Sequence, residues 1–235
     1  MKYSSLSSVV ESLSATAKAT LSPSYYFDLS SFRHASLFQD VVLVWDVLPK
    51  IKDYLNTTKL GLLEGDISPH AWLINPETIS IGKGTVMEPG VYIKGPCIIG
   101  ENCSIRHGAY IRGNVIVGDR CVIGHDTEIK NTVLLNDAHA AHFAYLGDCI
   151  LGNNVNLGAG TKCANLRLDM GQISIRVESV KLMTGLKKFG AIVGDNTHLG
   201  CNSVSNPGSL IGQNVKTYPC TNYGGLILSE SVVKS

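Results

Sequence analysis

The chain has 235 residues, 24 of them glycine, with 7% aromatics and a formal net charge of +1. A near-neutral balance excludes the strongly basic footprint of a nucleic-acid binder, and the length allows one or two domains. The seven cysteines are an odd number, form no C-x-x-C pair and follow no secretory leader. A disulfide framework and a cysteine zinc site are therefore not expected, and a cytoplasmic location is.

Residues 1–24 are rich in Ser, Ala and Thr, and Glu11 and Lys18 interrupt any apolar run, so no leader or membrane span is predicted there. Between residues 36 and 55, Val44, Val47, Leu48, Ile51 and Leu55 recur at helical spacing. Pro49 lies inside that pattern, so the helix begins or kinks near it. Residues 1–66 are expected to form an N-terminal arm and a helical cap over the open end of the domain that follows, because a solenoid must hide its unpaired edge.

That domain is announced by a period of six. From Ile81, every sixth residue is aliphatic: Met87, Ile93, Ile99, Ile105, Ile111, Val117, Ile123, Ile129 and Leu135. The residue four places further on is small or β-branched at Thr85, Val91, Cys97, Cys103, Ala109, Val115, Cys121, Thr127 and Val133, and His139 departs. This period fits neither an amphipathic helix nor a plain strand; it is the signature of a parallel β-helix, three hexads to a coil. The prediction is an all-β parallel β-helix over 67–222, in about seven coils of roughly eighteen residues. Cys97, Cys103 and Cys121 fall on small inward positions and read as reduced packing residues.

The rhythm breaks where His139, His142 and Tyr145 gather, resumes at Leu151, and is interrupted again by residues 166–190. There Ile173, Ile175 and Val177 alternate, as do Val180 and Leu182, which predicts a protruding β-hairpin. It carries Arg167, Arg176, Lys181, Lys187 and Lys188 and reads either as a solvated hairpin or as a basic loop over an anionic ligand. The rhythm returns at Val193, Leu199 and Ile211, and residues 223–235 read as a tail. Taken alone, His142 is either a base or a kink-filling histidine, and Arg112 and Lys130 are surface cations. A metal-dependent hydratase would need three clustered histidines. His107 and His125 are spaced to stack but lack a partner at short range, so no metal is expected.

The segments Ala141-His142-Phe143-Ala144-Tyr145-Leu146-Gly147-Asp148, Asn156-Leu157-Gly158-Ala159-Gly160-Thr161 and Lys188-Phe189-Gly190-Ala191-Ile192-Val193-Gly194-Asp195 carry a resemblance. Over about residues 67–220 the chain resembles the C-terminal acetyltransferase domain of the bifunctional glucosamine-1-phosphate acetyltransferase and N-acetylglucosamine-1-phosphate uridylyltransferase, in particular its archaeal-type relatives. The resemblance implies a left-handed β-helix, a homotrimer, acetyl-CoA as co-substrate, an amino-sugar phosphate as acceptor, and a place in UDP-N-acetylglucosamine biosynthesis. It implies His142 as general base, Arg112, Lys130, Tyr145, Asn156, Asn165 and Lys188 as substrate contacts, and Ala159, Cys201 and Pro219 along the cofactor. Backbone N–H groups of Gly158-Ala159-Gly160 would stabilise the oxyanion. Leu166 replaces an aromatic residue of the bacterial enzymes, and Cys201 and Pro219 replace a serine and an alanine. No glycine-rich nucleotide loop precedes the coils, so uridylyl transfer is not expected. Alternatives are acylation of another nucleotide sugar, or an idle sugar-phosphate-binding scaffold serving a separate nucleotidyltransferase partner.

Overall fold

The computed structural model describes residues 6–234; residues 1–5 of the expected arm and Ser235 of the expected tail lie outside them. Short strands of two to four residues wind into a prism with three flat parallel sheets. Face I runs from Asp66–Ile67 to Val232–Val233, face II from Trp72–Ile74 to Asn222–Tyr223, and face III from Ile79–Ile81 to Leu226–Ile227. Face I holds nine strands and the other two hold eight each, so the coil is longer than the seven turns expected. The stretch 223–235, read as a tail, supplies further strands at Leu226–Ile227 and Val232–Val233. Its hydrophobic period is blurred because the inward places are taken by Ser205, Thr217 and Tyr223 as well as aliphatics.

The break near His139 lies in two successive shortened coils. Val117 pairs with Leu134, and Leu134 with Leu151, seventeen residues apart in each case. One residue is missing between Ile129 and Leu134, and a slip of one residue turns every following side chain to the other surface. Leu134, Ala140 and Leu146 therefore point to the axis. Leu135, expected inside, is fully buried on the outside of face III. His139, also expected inside, stands half-buried on the outer surface of face I, paired with Val122 and Asn156.

The N-terminal segment does not close the end of the coil. It lies along face III as a second layer. Successive strands there are apolar on both surfaces, as in Cys97-Ile98-Ile99, Val115-Ile116-Val117 and Ala191-Ile192-Val193. The outward residues Ile98, Ile116, Val133, Ile150, Ile192 and Leu210 would face water without cover, and burying them drives the layer onto the face. The cover includes the helix Val47–Thr57, with Val47, Leu48, Ile51 and Leu55 buried and Pro49 in its first turn, where proline is tolerated. The hairpin of Ser174–Val177 and Val180–Met183 completes the same layer instead of protruding. Ile173, Ile175, Val177 and Leu182 are buried in it, and Ser14 Oγ donates to Glu178 Oε1 at 2.6 Å. Arg176 and Lys181 point to solvent from this layer, so the hairpin is no lid over face II. The five cysteines at 97, 103, 121, 149 and 163 are buried free thiols, whereas Cys201 and Cys220 are exposed. No helix among the described residues is long and apolar enough to cross a membrane.

One group in the layer gives the fold a pH limit. His34 sits between Phe32 and Tyr54, and its Nδ1 lies 2.9 Å from the Tyr54 hydroxyl. Burial, and then the Arg33 charge, push its pKa down to about 4. The unfolded chain takes up this proton first as pH falls, so stability should drop between about pH 6.5 and 4 and stop dropping from this source below that. The loss should be at most about 3 kcal/mol. Urea unfolding at pH 7 and 4.5, compared with His34→Gln, checks it: the variant should lose less on acidification than the parent.

Candidate active site

The parallel ladder stacks equivalent residues of successive rungs, so residues far apart in sequence form columns. At the corner between faces I and II, His125 pairs with His142, and Phe143 N–H donates to His125 O at 2.8 Å. Gly160 N–H donates to His142 O (3.0 Å), Asn202 N–H to Ala159 O (2.8 Å), and Cys220 N–H to Cys201 O (2.8 Å). His142, Ala159, Cys201 and Pro219 thus occupy one column, which matches the grouping of the base with the cofactor positions in the sequence. On the face I side of this column stand Gly124, Ala141, Gly158 and Gly200, a strip without long side chains. A Cβ at Gly124 would come within 1.6 Å of Ala141 O, so the turn itself demands glycine there.

His142 is exposed, and its imidazole has no hydrogen-bond partner among the described residues; its ring lies 6.3 Å from that of Phe143. Phe143 was not singled out from the sequence. It holds φ 50° at a corner where other rungs use Gly108, Asp126, Gly160 and Asn202, and its ring is 51% exposed. A bulky residue in the left-handed region is a backbone outlier of the kind that clusters at functional sites. Its sequence signal is a phenylalanine at a turn position that holds Gly, Asp, Asn or Cys in other rungs. His107 and His125 stack one rung apart at 5.8 Å, but among the described residues no group of three ligands could hold a metal.

The oxyanion donors expected in Gly158-Ala159-Gly160 are fewer than three. Gly158 N–H is bonded to Leu199 O at 2.7 Å and Gly160 N–H to His142 O. Only the Ala159 N–H remains without an acceptor in the ladder.

The second cluster lies across face II. Lys130 Nζ donates to Asp148 Oδ2 at 2.8 Å, Asn131 Nδ2 to Asp148 Oδ1 at 2.9 Å, and Asn165 Nδ2 to Asp148 Oδ2 at 2.6 Å. Tyr145 joins from the side. A Cβ on Gly147 would meet Asn165 Nδ2 at 2.5 Å and the Tyr145 hydroxyl at 2.7 Å, so glycine makes room for both groups. Burial raises the Tyr145 pKa, with Glu128 and Asp148 adding to it, so this phenol stays protonated. Lys188 stands at the neck of the insertion: its neighbour Phe189 N–H donates to Asn165 O at 2.9 Å, and Lys188 bridges to Leu166. One rung before, Arg112 Nη1 donates to Glu128 Oε1 at 2.6 Å.

The structure therefore brings Lys130, Tyr145 and Asn165 together, with Arg112 one rung before and the backbone of Lys188 paired with Leu166. Asn156 is set apart on face I, beside His139 and His198. Two residues without an expected role, Glu128 and Asp148, pair with Arg112 and Lys130, two of the three cations expected to contact the sugar phosphate. Lys130 is the more committed, with its side chain 18% exposed against an Asp148 side chain 8% exposed.

The nine-rung coil is the left-handed parallel β-helix of hexapeptide repeats. Within it, residues 93–186 match the family model of the GMPPB C-terminal domain. A bifunctional sugar-1-phosphate nucleotidylyltransferase/acetyltransferase of Sulfurisphaera tokodaii is 37% identical over 78 residues, 33% of this chain and 20% of that one. The bifunctional protein GlmU of Methanococcus aeolicus is 40% identical over 73 residues, 31% of this chain and 18% of its own. GlmU of a Picosynechococcus strain is 35% identical over 135 residues, 57% of this chain and 22% of its own. The chain thus covers about a fifth of the length of these curated relatives, and the resemblance to the bifunctional nucleotidylyltransferase/acetyltransferases is borne out. Among solved structures, the UDP-N-acetylglucosamine acyltransferase of Francisella novicida shares the fold, with a TM-score of 0.51 at 15% identity over 68% of this chain and 62% of that one.

Proposed function

We propose that this chain is an acyltransferase that moves an acetyl group from acetyl-CoA to the amine of an amino-sugar phosphate such as glucosamine-1-phosphate, with His142 as general base. The observation that carries this reading is the corner column, where a free imidazole stands one rung from a free backbone N–H. In the proposed step the acceptor amine attacks the thioester carbonyl. His142 takes the proton that the amine loses, Ala159 N–H supports the oxygen as charge develops, and the C–S bond breaks to release CoA, whose sulfur ends protonated. The flat strip on face I beside Ala159, Cys201 and Pro219 leaves a path for an extended cofactor arm. Tyr145 and Asn165 offer hydrogen bonds to sugar hydroxyls. The relatives named for acetyl transfer support the same chemistry.

His142 and the strip are open to solvent in the single chain, and a homotrimer in which a neighbouring copy closes the corner is part of the proposal. Face III is unavailable for that contact, because the chain's own N-terminal layer covers it. The test is release of free CoA thiol when the chain is given acetyl-CoA and a panel of amino-sugar phosphates. Turnover with at least one of them is expected; CoA binding without turnover on any would leave only a scaffold.

A further inference from the structure

The far end of the corner column carries thiol chemistry that acyl transfer does not use. Five of the cysteines are buried, and only Cys201 and Cys220 are exposed among them. Cysteine is among the residues most often buried, so two exposed thiols at one corner are unusual. No hydrogen bond among the described residues ties either sulfur. Cys220 also holds φ 58° at a turn position where other rungs carry Gly108, Gly160 and Asn202. A side chain other than Gly, Asn or Asp is uncommon in that region, and packing does not explain it, because Cys220 is exposed.

The two residues stand on neighbouring rungs. Cys220 N–H donates to Cys201 O at 2.8 Å, the same ladder bond that joins Phe143 N–H to His125 O at 2.8 Å lower on this corner. At that equivalent pair the side chains meet, with the His125 and Phe143 rings 5.2 Å apart. Side chains on this diagonal therefore reach each other. Rungs spaced about 4.8 Å apart, with one residue of offset, put the Cα atoms about 5–6 Å apart. A disulfide spans roughly 4.4–6.8 Å between Cα atoms.

We propose that Cys201 and Cys220 form a redox-active dithiol that small-molecule disulfides convert to a disulfide between rungs. One protein thiol gives its proton to solvent and attacks a sulfur of the small disulfide. The new S–S bond holds one half of the reagent, and the other half leaves as a thiolate and takes a proton. The second protein thiolate then attacks the protein sulfur of this mixed disulfide, and the remaining half leaves as a thiol. Two protein thiols are oxidised and one small disulfide is reduced to two thiols. The bridge would stand on the corner proposed for the acetyl-CoA arm, so its formation should also stop acyl transfer. That consequence rests on the acyl-transfer reading; the dithiol does not.

The experiment is anaerobic incubation of the full, reduced chain with oxidised glutathione, followed by intact mass and peptide mapping. Circular dichroism confirms the folding of each variant. Wild type should lose two hydrogens and keep no adduct, with the bridge mapped to Cys201 and Cys220. Cys220→Ser should stop with one glutathione on Cys201, and Cys201→Ser with one on Cys220. The double variant should stay unmodified, because the other thiols are buried. The closing step is intramolecular, at an effective concentration on the order of millimolar, so wild type should carry at least about tenfold less adduct than either single variant. A folded wild-type chain that holds two glutathiones, or that stays fully reduced, overturns the proposal. So does a bridge mapped to other cysteines or to a second chain. No acyl-CoA enters this assay, so absence of acetyl transfer in the earlier one leaves its outcome untouched, and the two failures are distinguishable.

Discussion

His142→Ala is expected to lower acyl-transfer kcat by about 10²–10⁴-fold, the usual contribution of a positioned general base, with the melting temperature unchanged. The side chain is exposed, with its ring 6.3 Å from that of Phe143, so little packing is lost with it. Acceptor binding should persist, because its polar contacts lie across face II at Tyr145 and Asn165. His139→Ala is the control. It lies on the outer surface of face I and not in the core, so the substitution should cost no more than about 0.5 kcal/mol and leave turnover intact. Steady-state kinetics and thermal melts of the pair decide the matter. A fully active His142→Ala chain would remove the proposed base, and an inactive but stable His139→Ala chain would move the chemistry to face I, beside Asn156.

Trp45→Ala should produce the largest loss of stability, about 3–5 kcal/mol, as expected when a buried tryptophan leaves a cavity. Trp45 is fully buried between the helical layer and the neck of the insertion, with its ring 6.5 Å from that of Phe189. Its indole Nε1 is buried without an acceptor among the described residues. Trp45→Phe should therefore cost far less, within about 1 kcal/mol, since it keeps a ring and removes the orphan donor. Urea unfolding of both variants is the measurement. If Trp45→Ala were nearly neutral, the layer would add little to the stability of the coil. A layer that cements face III should instead couple the N-terminal segment to the insertion at Phe189, and through it to Asn165 and Lys188.

Much of the architecture was legible because a parallel coil repeats one local geometry. Ile81 through Ile129 keep the period of six, and all of them are buried on the axis. Periodicity cannot register a missing residue as such, however: Leu135 still reads as a sixth-position aliphatic, although Leu134 has taken its place inside. The missing residue, between Ile129 and Leu134, also turned His139 outward and changed what its substitution should do. The helical layer was legible as a helix around Pro49 but not in its place. The clue was present in the all-apolar triplets of face III, which signal burial on both surfaces.

The sequence by itself determined the coil, the starting point of the hexads near Ile67, the corner motif around His142 and its likeness to acetyltransferase relatives. These depend on spacing of three to six residues, and short-range spacing is preserved in the chain. Only the tertiary structure decided which residues share a column and which cations are already neutralised. His142 meets Ala159 and Cys201 because rungs stack, while Asn156 goes to another face. Lys130 meets Asp148, and Arg112 meets Glu128, across rungs sixteen to eighteen residues apart. Such pairings depend on the exact length of each coil, which missing residues and an insertion alter, and charge neutralisation depends on contact at less than 3 Å.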